Sequence, residues 1–331
     1  MKLIDLENHF YDECFYEALT GRDTLPYYIK DDDAIAWTDE IKLPQGMLRP
    51  QLLEVWDGRI ALMDKLGIST AVLSCSPGVE DLSAAEGIDI ARKTNDVLFE
   101  LTKKYPGRYL GSAILPVQDV PAACAELERC VKYLGFVSWH VHSNFGETYP
   151  DDPRYLPIYK KAAELGVYVY LHPQLPQGLR VGDLGFAVAG PGLGFTVDTM
   201  ITLTRMVVTG IFDEVPNLKV VLGHLGEALP FLLKRMDNRM KFVPNPVAKN
   251  KHDFSYYFQN NIWVTTSGNM SDEAFACTVE AIGLDRILFG SDHPYENMGD
   301  MVEFVKELPL GESERQQLYY KNAEALGIDV Q

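Results

Sequence analysis

Apolar positions along this chain recur in short, nearly continuous runs bounded by Gly, Pro or Asp. Eight such runs are rich in β-branched and aromatic residues: Lys2–Asp5, Thr70–Ser74, Tyr109–Ala113, Phe136–Val141, Tyr168–Leu171, Lys219–Leu222, Ile262–Thr265 and Arg286–Phe289. Most are apolar on successive residues, as in Val-Tyr-Val-Tyr-Leu, which suits strands of a parallel sheet covered on both faces. Between them lie stretches with helical periodicity. Arg49–Leu66 spaces Leu52, Val55, Trp56, Ile60, Met63 and Leu66 in this way and stops at Gly67. Leu156–Leu165 stops at Gly166, and the stretch through Val279 and Ile282 stops at Gly283, both in the manner of C-terminal capping glycines. Eight strand–helix units predict a (β/α)8 TIM barrel. A doubly wound open sheet is the alternative, but so many successive units favour closure. Residues 11–49 break the alternation and read as an insertion after the first strand, forming a lid or an oligomer contact.

Length and charge narrow the picture. The 331 residues fit a single barrel domain spanning 1–331, and 47% apolar with 23% charged residues excludes a disordered or collagen-like chain. The net charge of −17 makes the chain a poor partner for nucleic acid or an anionic membrane. It leaves an anionic small substrate open, because a bound metal reverses the local field. Apolar runs fall far short of the ~20 residues of a spanning helix, and Met1–Asp5 does not begin a signal peptide. The five cysteines are scattered and form no CxxC pair, so a disulfide framework is not expected and a reducing cytoplasm is.

The candidate chemistry collects where barrel sites lie, at the C-terminal ends of the strands. Glu7-Asn8-His9 follows the first strand and His172-Pro173 the fifth. Gly223-His224-Leu225-Gly226-Glu227 follows the sixth, and Gly290-Ser291-Asp292-His293-Pro294 the eighth. Imidazole with carboxylate suits zinc, manganese or iron, and the absence of cysteine argues against a structural zinc site. In an extended chain residues i and i+2 share a side, so Glu7 and His9 both face the barrel axis while Asn8 faces outward. Singly, His172 reads as readily as a loop histidine, Asp292 as a turn or cap, and His224 as a turn residue. Their joint placement, in a chain with seven histidines, predicts a metal site of Glu7, His9, His172 and Asp292. His140 and His142 close the fourth strand. His142 with Asn144 are candidates for substrate contact, or equally for structural hydrogen bonds. His252 reads as surface, and His293 as turned away from Asp292. Gly190-Pro191-Gly192-Leu193-Gly194 lacks the context of a phosphate loop and reads as a loop over the site.

Taken together the motifs resemble the amidohydrolase-related metal-dependent decarboxylases. That group holds the 2,3- and 2,6-dihydroxybenzoate, 5-carboxyvanillate and aminocarboxymuconate semialdehyde decarboxylases. The matching segments are Leu-Glu-Asn-His-Phe (6–10), Leu-His-Pro (171–173), the run from Thr209 to Glu227, Val-Thr-Thr-Ser-Gly (264–268) and the run from Asp285 to Asn297. The likeness covers the first ten residues and about 50 to the end, and is weakest across 11–49. The fourth strand carries no lysine, which within this resemblance implies one metal instead of a carbamate-bridged pair. The opening Glu-x-His resembles the hydroxybenzoate-type members more than the His-x-His of the semialdehyde decarboxylases and lactonases.

The resemblance implies one divalent ion, zinc or manganese, with no organic cofactor. It implies a hydroxylated aromatic acid as substrate, chelating through its carboxylate and ortho oxygen. Asp292 would protonate the ring carbon that bears the carboxylate before CO2 leaves. A metal-bound aspartate is a weak acid carrier, so Asp292 must bind loosely or take up a proton as substrate enters. His224 and Glu227 match the pair that polarises the phenol oxygen. Arg235 matches an arginine near the catalytic site, with a surface helix cation beside acidic neighbours such as Asp237 as the other reading. A homodimer or homotetramer is the implied assembly. The alternative is a metal-dependent hydrolase of a lactone or amide with Asp292 as general base, and a third reading is a barrel that binds without turnover. Pocket walls are expected from 11–49 and 174–200.

Overall fold

The computed structural model describes residues 2–38, 42–76, 78–146, 148–176 and 181–328. Its first strand, β1 (Ile4–Phe10), is followed by the insertion, which holds three short strands: β2 (Tyr27–Ile29), β3 (Ala34–Ala36) and β4 (Lys42–Pro44). Seven more strands follow: β5 (Thr70–Cys75), β6 (Tyr109–Ala113), β7 (Ser138–His142), β8 (Tyr168–His172), β9 (Val220–Leu222), β10 (Ile262–Thr265) and β11 (Ile287–Leu288). The eight strands outside the insertion form one sheet in the order β1-β5-β6-β7-β8-β9-β10-β11, every pair parallel. Helices cover the outer face. The architecture is an amidohydrolase-like (β/α)8 barrel.

The ring closes through backbone hydrogen bonds between β1 and the segment after β11. Leu6 N–H donates to Phe289 O (3.0 Å), Asp292 N–H to Glu7 O (2.9 Å) and His9 N–H to His293 O (2.7 Å). Inside the barrel Ile4, Leu6, Val72, Tyr168, Tyr170 and Val221 pack together, while Val169 and Leu171 of β8 face the helices. This is the alternation expected of a strand. In β1 the register shifts between Asp5 and Asn8. That irregularity changes the phase of the strand, so Glu7 and His9 continue the inner face begun by Ile4 and Leu6.

Local structure departs from the sequence pattern in three places. The helix expected over Arg49–Leu66 is two helices, Leu48–Leu53 and Asp57–Leu66. The break is held by Glu54, whose Oε1 accepts from the N–H of Trp56 (3.1 Å) and Gly58 (3.2 Å). The first strand runs past Asp5 to Phe10, so Glu7 and His9 lie within it, and the fourth is shifted to Ser138–His142. The insertion contains a helix, Glu13–Leu19, capped by Asp12 Oδ1 accepting from Phe15 N–H (2.8 Å), and the antiparallel sheet β2-β3-β4. Gly190–Gly194 lies in an irregular helical turn leading into the helix Gly194–Val208. A Cβ at Gly194 would sit 1.7 Å from Ala189 O, so no other residue fits there. Among the described residues no helix is long and apolar enough to cross a membrane.

The closing seam is tightly packed at Gly290, where a Cβ would lie 2.9 Å from Thr265 Cβ and 3.2 Å from Glu7 Cβ. Gly290→Ala is therefore expected to lower stability by about 1–3 kcal/mol through overpacking. Chemical denaturation checks this, and an unchanged midpoint would show that the seam has room to give.

Candidate active site

Three parts of the barrel deliver the metal-ligand residue types. β1 presents Glu7 and His9, β8 ends on His172, and the turn after β11 presents Asp292. One ligand atom from each lies within 4.8 Å of all the others. His9 Nε2 is 3.0 Å from Asp292 Oδ1 and 3.7 Å from Glu7 Oε1. His172 Nε2 is 3.7 Å from Glu7 Oε1 and 4.0 Å from Asp292 Oδ1. The opposite atoms of the same side chains are tied back to the protein. Glu7 Oε2 accepts from the Tyr170 hydroxyl and from Thr265 Oγ1 (3.1 Å). His9 Nδ1 lies 2.9 Å from Ser74 Oγ, and His172 Nδ1 lies 2.8 Å from Pro173 O and 3.0 Å from Ser76 Oγ. Glu7 Oε1, His9 Nε2 and Asp292 Oδ1 are buried without a hydrogen-bond partner among the described residues. Buried polar atoms are normally satisfied. Lone pairs converging on one point, with their far sides pinned by hydrogen bonds, fit a divalent cation with O and N ligands.

The protonation balance follows from the same packing. Burial pushes Asp292 up, but the imidazoles of His172, His224 and His9 close beside it hold it well below the usual carboxylate range. Burial likewise opposes ionisation of Glu7, and His9 with the neighbouring imidazoles outweighs it. Burial alone would neutralise His9, yet Asp292 and then Glu7 push it up to about 9. For His172 burial wins and the value falls to about 4. The site thus holds two ionised carboxylates at close range.

Behind the ligands lies a network that sequence reasoning did not single out. Asp5 is fully buried and accepts from Ser291 N–H (2.8 Å), Ser291 Oγ (2.6 Å), Asn8 Nδ2 (2.9 Å) and Glu7 N–H (3.2 Å). Burial pushes its carboxyl up to about 6 against these hydrogen bonds. Asn8 Oδ1 accepts from the buried Arg59 (2.5 Å), which also donates to His9 O (3.1 Å). Asp5 and Arg59 therefore fix the backbones that carry Glu7, His9 and Asp292. A carboxylate inside an otherwise apolar strand was the available signal for Asp5, and the alternation of β8 with His172 was the signal for Tyr170.

Beside the ligands, the turn after β9 supplies His224 and Glu227. His224 Nδ1 lies 2.7 Å from Glu227 Oε1, and His224 Nε2 lies 3.9 Å from Asp292 Oδ2. Glu227 Oε2 accepts from Thr196 Oγ1 (2.7 Å). Burial opposes a charged His224, but Glu227 and Asp292 raise its pKa well above the usual value. His224, Glu227 and Asp292 all adopt left-handed backbone angles (φ 56°, 57° and 57°), conformations that non-glycine residues hold only under constraint. With Ser76 and His172 they border a cavity of about 210 Å³, whose other walls include Trp37, Leu43 and Leu48 of the insertion. That is below the roughly 300–1,000 Å³ of clefts for drug-sized ligands, a scale that suits a single-ring compound.

Three expected site residues lie elsewhere. Arg235 is exposed on the helix Leu229–Phe242, whose buried side is formed by Leu229, Pro230 and Leu233, and it does not line the cavity. His142 and Asn144 are buried behind the cavity wall. His142 contacts Glu80 Oε1 through Nδ1 (2.9 Å) and Ser76 Oγ through Nε2 (3.0 Å). Asn144 donates to Asp198 Oδ2 (2.7 Å) and Leu175 O (3.0 Å). His142 and Asn144 thus make internal hydrogen bonds, the other of the two roles expected for them, and Arg235 is exposed outside the cavity lining. His252 stacks on Tyr256 with ring centroids 4.0 Å apart.

The barrel and its His/carboxylate site define a metal-binding amidohydrolase-like protein. The sequence profile of the amidohydrolase family matches residues 63–326, and the chain belongs to this family. Gamma-resorcylate decarboxylase of Rhizobium sp. (strain MTP-10005) is 39% identical over 292 residues, covering 84% of this chain and 89% of the relative. The solved 2,6-dihydroxybenzoate decarboxylase from Rhizobium aligns with a TM-score of 0.85 at 35% identity over 98% of each chain, and the same enzyme complexed with 2,6-dihydroxybenzoate gives the same figures. A dihydroxybenzoic acid decarboxylase from Polaromonas sp. JS666, solved with manganese and the inhibitor 2-nitroresorcinol, aligns with a TM-score of 0.85 at 33% identity over 98% of this chain and 96% of that one.

The hydrogen bonds behind Glu7 give a prediction. Tyr170→Phe removes one of the two hydroxyl donors to Glu7 Oε2 and is expected to weaken divalent-metal affinity about 10–100-fold. Competition against a chromophoric chelator measures it, and unchanged affinity would remove Tyr170 from the support of the site.

Proposed function

We propose that this protein is a metal-dependent, non-oxidative decarboxylase of a hydroxylated aromatic carboxylic acid. Its membership among the decarboxylases above makes it a carboxy-lyase. The observation that carries the finer reading is the convergence of the unpartnered Glu7 Oε1, His9 Nε2 and Asp292 Oδ1 beside the His224–Glu227 pair, at one end of a cavity for a single ring. Glu7, His9, His172 and Asp292 would hold one divalent ion, manganese or zinc. That ion supplies positive charge for the substrate's carboxylate and its ortho oxygen, which offsets the protein's net charge of −17.

The chain's own residues do the rest. Asp292 gives a proton to the ring carbon bearing the carboxylate. The bond to the carboxylate then breaks, its electron pair restores the ring, and CO2 departs. Asp292 must first acquire that proton, because its neighbours hold it ionised. Asp292 takes that proton up as substrate enters, while His224, with Nε2 at 3.9 Å from Asp292 Oδ2, keeps its own. Glu227 orients His224 through Nδ1 and keeps it cationic, so its outer nitrogen polarises the phenol oxygen. No organic cofactor is required, since ring protonation itself supplies the electron sink. The same reading places the enzyme in the cytoplasm as a homodimer or homotetramer. The exposed Phe231 and Phe242, 78% and 81% accessible, offer apolar surface for such an assembly.

Metal-loaded protein is expected to release CO2 from a hydroxybenzoate, and to lose that activity on chelation and in Asp292→Asn. Glu227→Gln is expected to lower kcat about 10²–10⁴-fold with less effect on KM. A manometric or coupled CO2 assay checks each. Ring opening of a lactone without CO2 release would replace this reading with the hydrolase.

A further inference from the structure

The cavity is chemically two-sided. Ser76, His172, His224, Glu227 and Asp292 form its polar end at the strand termini. The remainder is built largely from Trp37, Leu43, Leu48, Leu175, Phe186 and Phe195. Trp37, Leu43 and Leu48 come from the insertion, and Phe186 and Phe195 from the segment after β8. These two segments therefore line the cavity with apolar groups. One more carboxylate, the half-buried Glu296, lies on the wall, and none of the described lining residues is Lys or Arg.

We propose that the acid taken by this cavity carries an apolar substituent, such as an alkyl group or halogen, on the part of the ring remote from its carboxylate. A second carboxylate at that position is excluded. The inference rests on the reading of the cavity as an aromatic-acid site and names the subclass of acid. An alkyl group placed against Trp37, Leu43 and Leu48 leaves water for an apolar wall, which is favourable in proportion to area. A carboxylate in the same place loses its hydration, and the described lining residues offer it no cation. It also enters a cavity whose described carboxylates, Glu227, Asp292 and Glu296, share its sign. The first carboxylate avoids this penalty because it sits at the polar end with the metal ligands. Specificity thus comes from both an attractive wall and a repulsive charge.

The test is a matched series of 2-hydroxybenzoates with hydrogen, methyl, ethyl or carboxylate at ring positions 4 and 5. Each is assayed for CO2 release and as a competitive ligand of metal-loaded protein by calorimetry. At one position at least, the alkyl acids are expected to gain about tenfold or more in kcat/KM and in affinity over the parent. The dicarboxylates are expected to lose at least about tenfold. Leu48→Lys should reverse the alkyl–carboxylate order, and Glu296→Gln should relieve part of the dicarboxylate penalty. CO2 release with dicarboxylates accepted as well as alkyl acids at both positions would overturn the inference and leave the decarboxylase reading standing. The expected affinity order without CO2 from any acid would overturn the decarboxylase reading and support the two-sided cavity. No binding by any member of the series would overturn the inference.

Discussion

The structure turns on two buried carboxylates brought together at the seam where the barrel closes. Glu7 and Asp292 sit on opposite sides of that seam, joined through the hydrogen bond from Asp292 N–H to Glu7 O. Both are almost fully buried, and their inward oxygens have no hydrogen-bond partner among the described residues. Like charges in such a place oppose folding unless a cation sits between them. His9 and His172 complete the enclosure, and their outer nitrogens are held by Ser74, Ser76 and Pro173. Closing the fold and assembling the ligands are therefore one event.

That event needs precision, and the surrounding residues show how it is achieved. The register shift in β1 places Glu7 and His9 on the inner face. Asp5 gathers hydrogen bonds from both sides of the seam, and Arg59 anchors Asn8 and the His9 carbonyl from the neighbouring helix. Constraint concentrates at the chemistry: Asp292, His224 and Glu227 hold left-handed backbone angles that an L-residue adopts at a cost. Positioning of this kind is what the proposed proton transfer to a ring carbon requires.

Much of this was legible in the sequence, for identifiable reasons. Eight apolar runs separated by helical periods specify a barrel because each unit must bury a strand between helices and the axis. The Glu7-x-His9 spacing and the placement of His172 and Asp292 at strand ends follow from geometry that every such barrel shares. What escaped was set by three-dimensional context. The register shift has no local signature, so the strand was expected to end before Glu7 when it runs through Phe10. Helical periodicity continued across Glu54–Trp56, where the Glu54 side chain breaks the helix. His142 and Asn144 close or follow a strand at the right end of the barrel, yet Glu80 and Asp198, distant in sequence, draw them into hydrogen bonds behind the wall. For Arg235 only the packing of its helix shows which face meets solvent.

The most direct test of the central claim is the fate of a hydroxybenzoate labelled with carbon-13 at its carboxyl and incubated with the metal-loaded protein in D2O. Carbon NMR of the gas and proton NMR of the product read both halves of the reaction. Decarboxylation with ring protonation yields labelled CO2 and a phenol carrying one deuterium on the carbon that lost the carboxyl group. Retention of the label in an organic acid, with a bond hydrolysed elsewhere in the molecule, would contradict it.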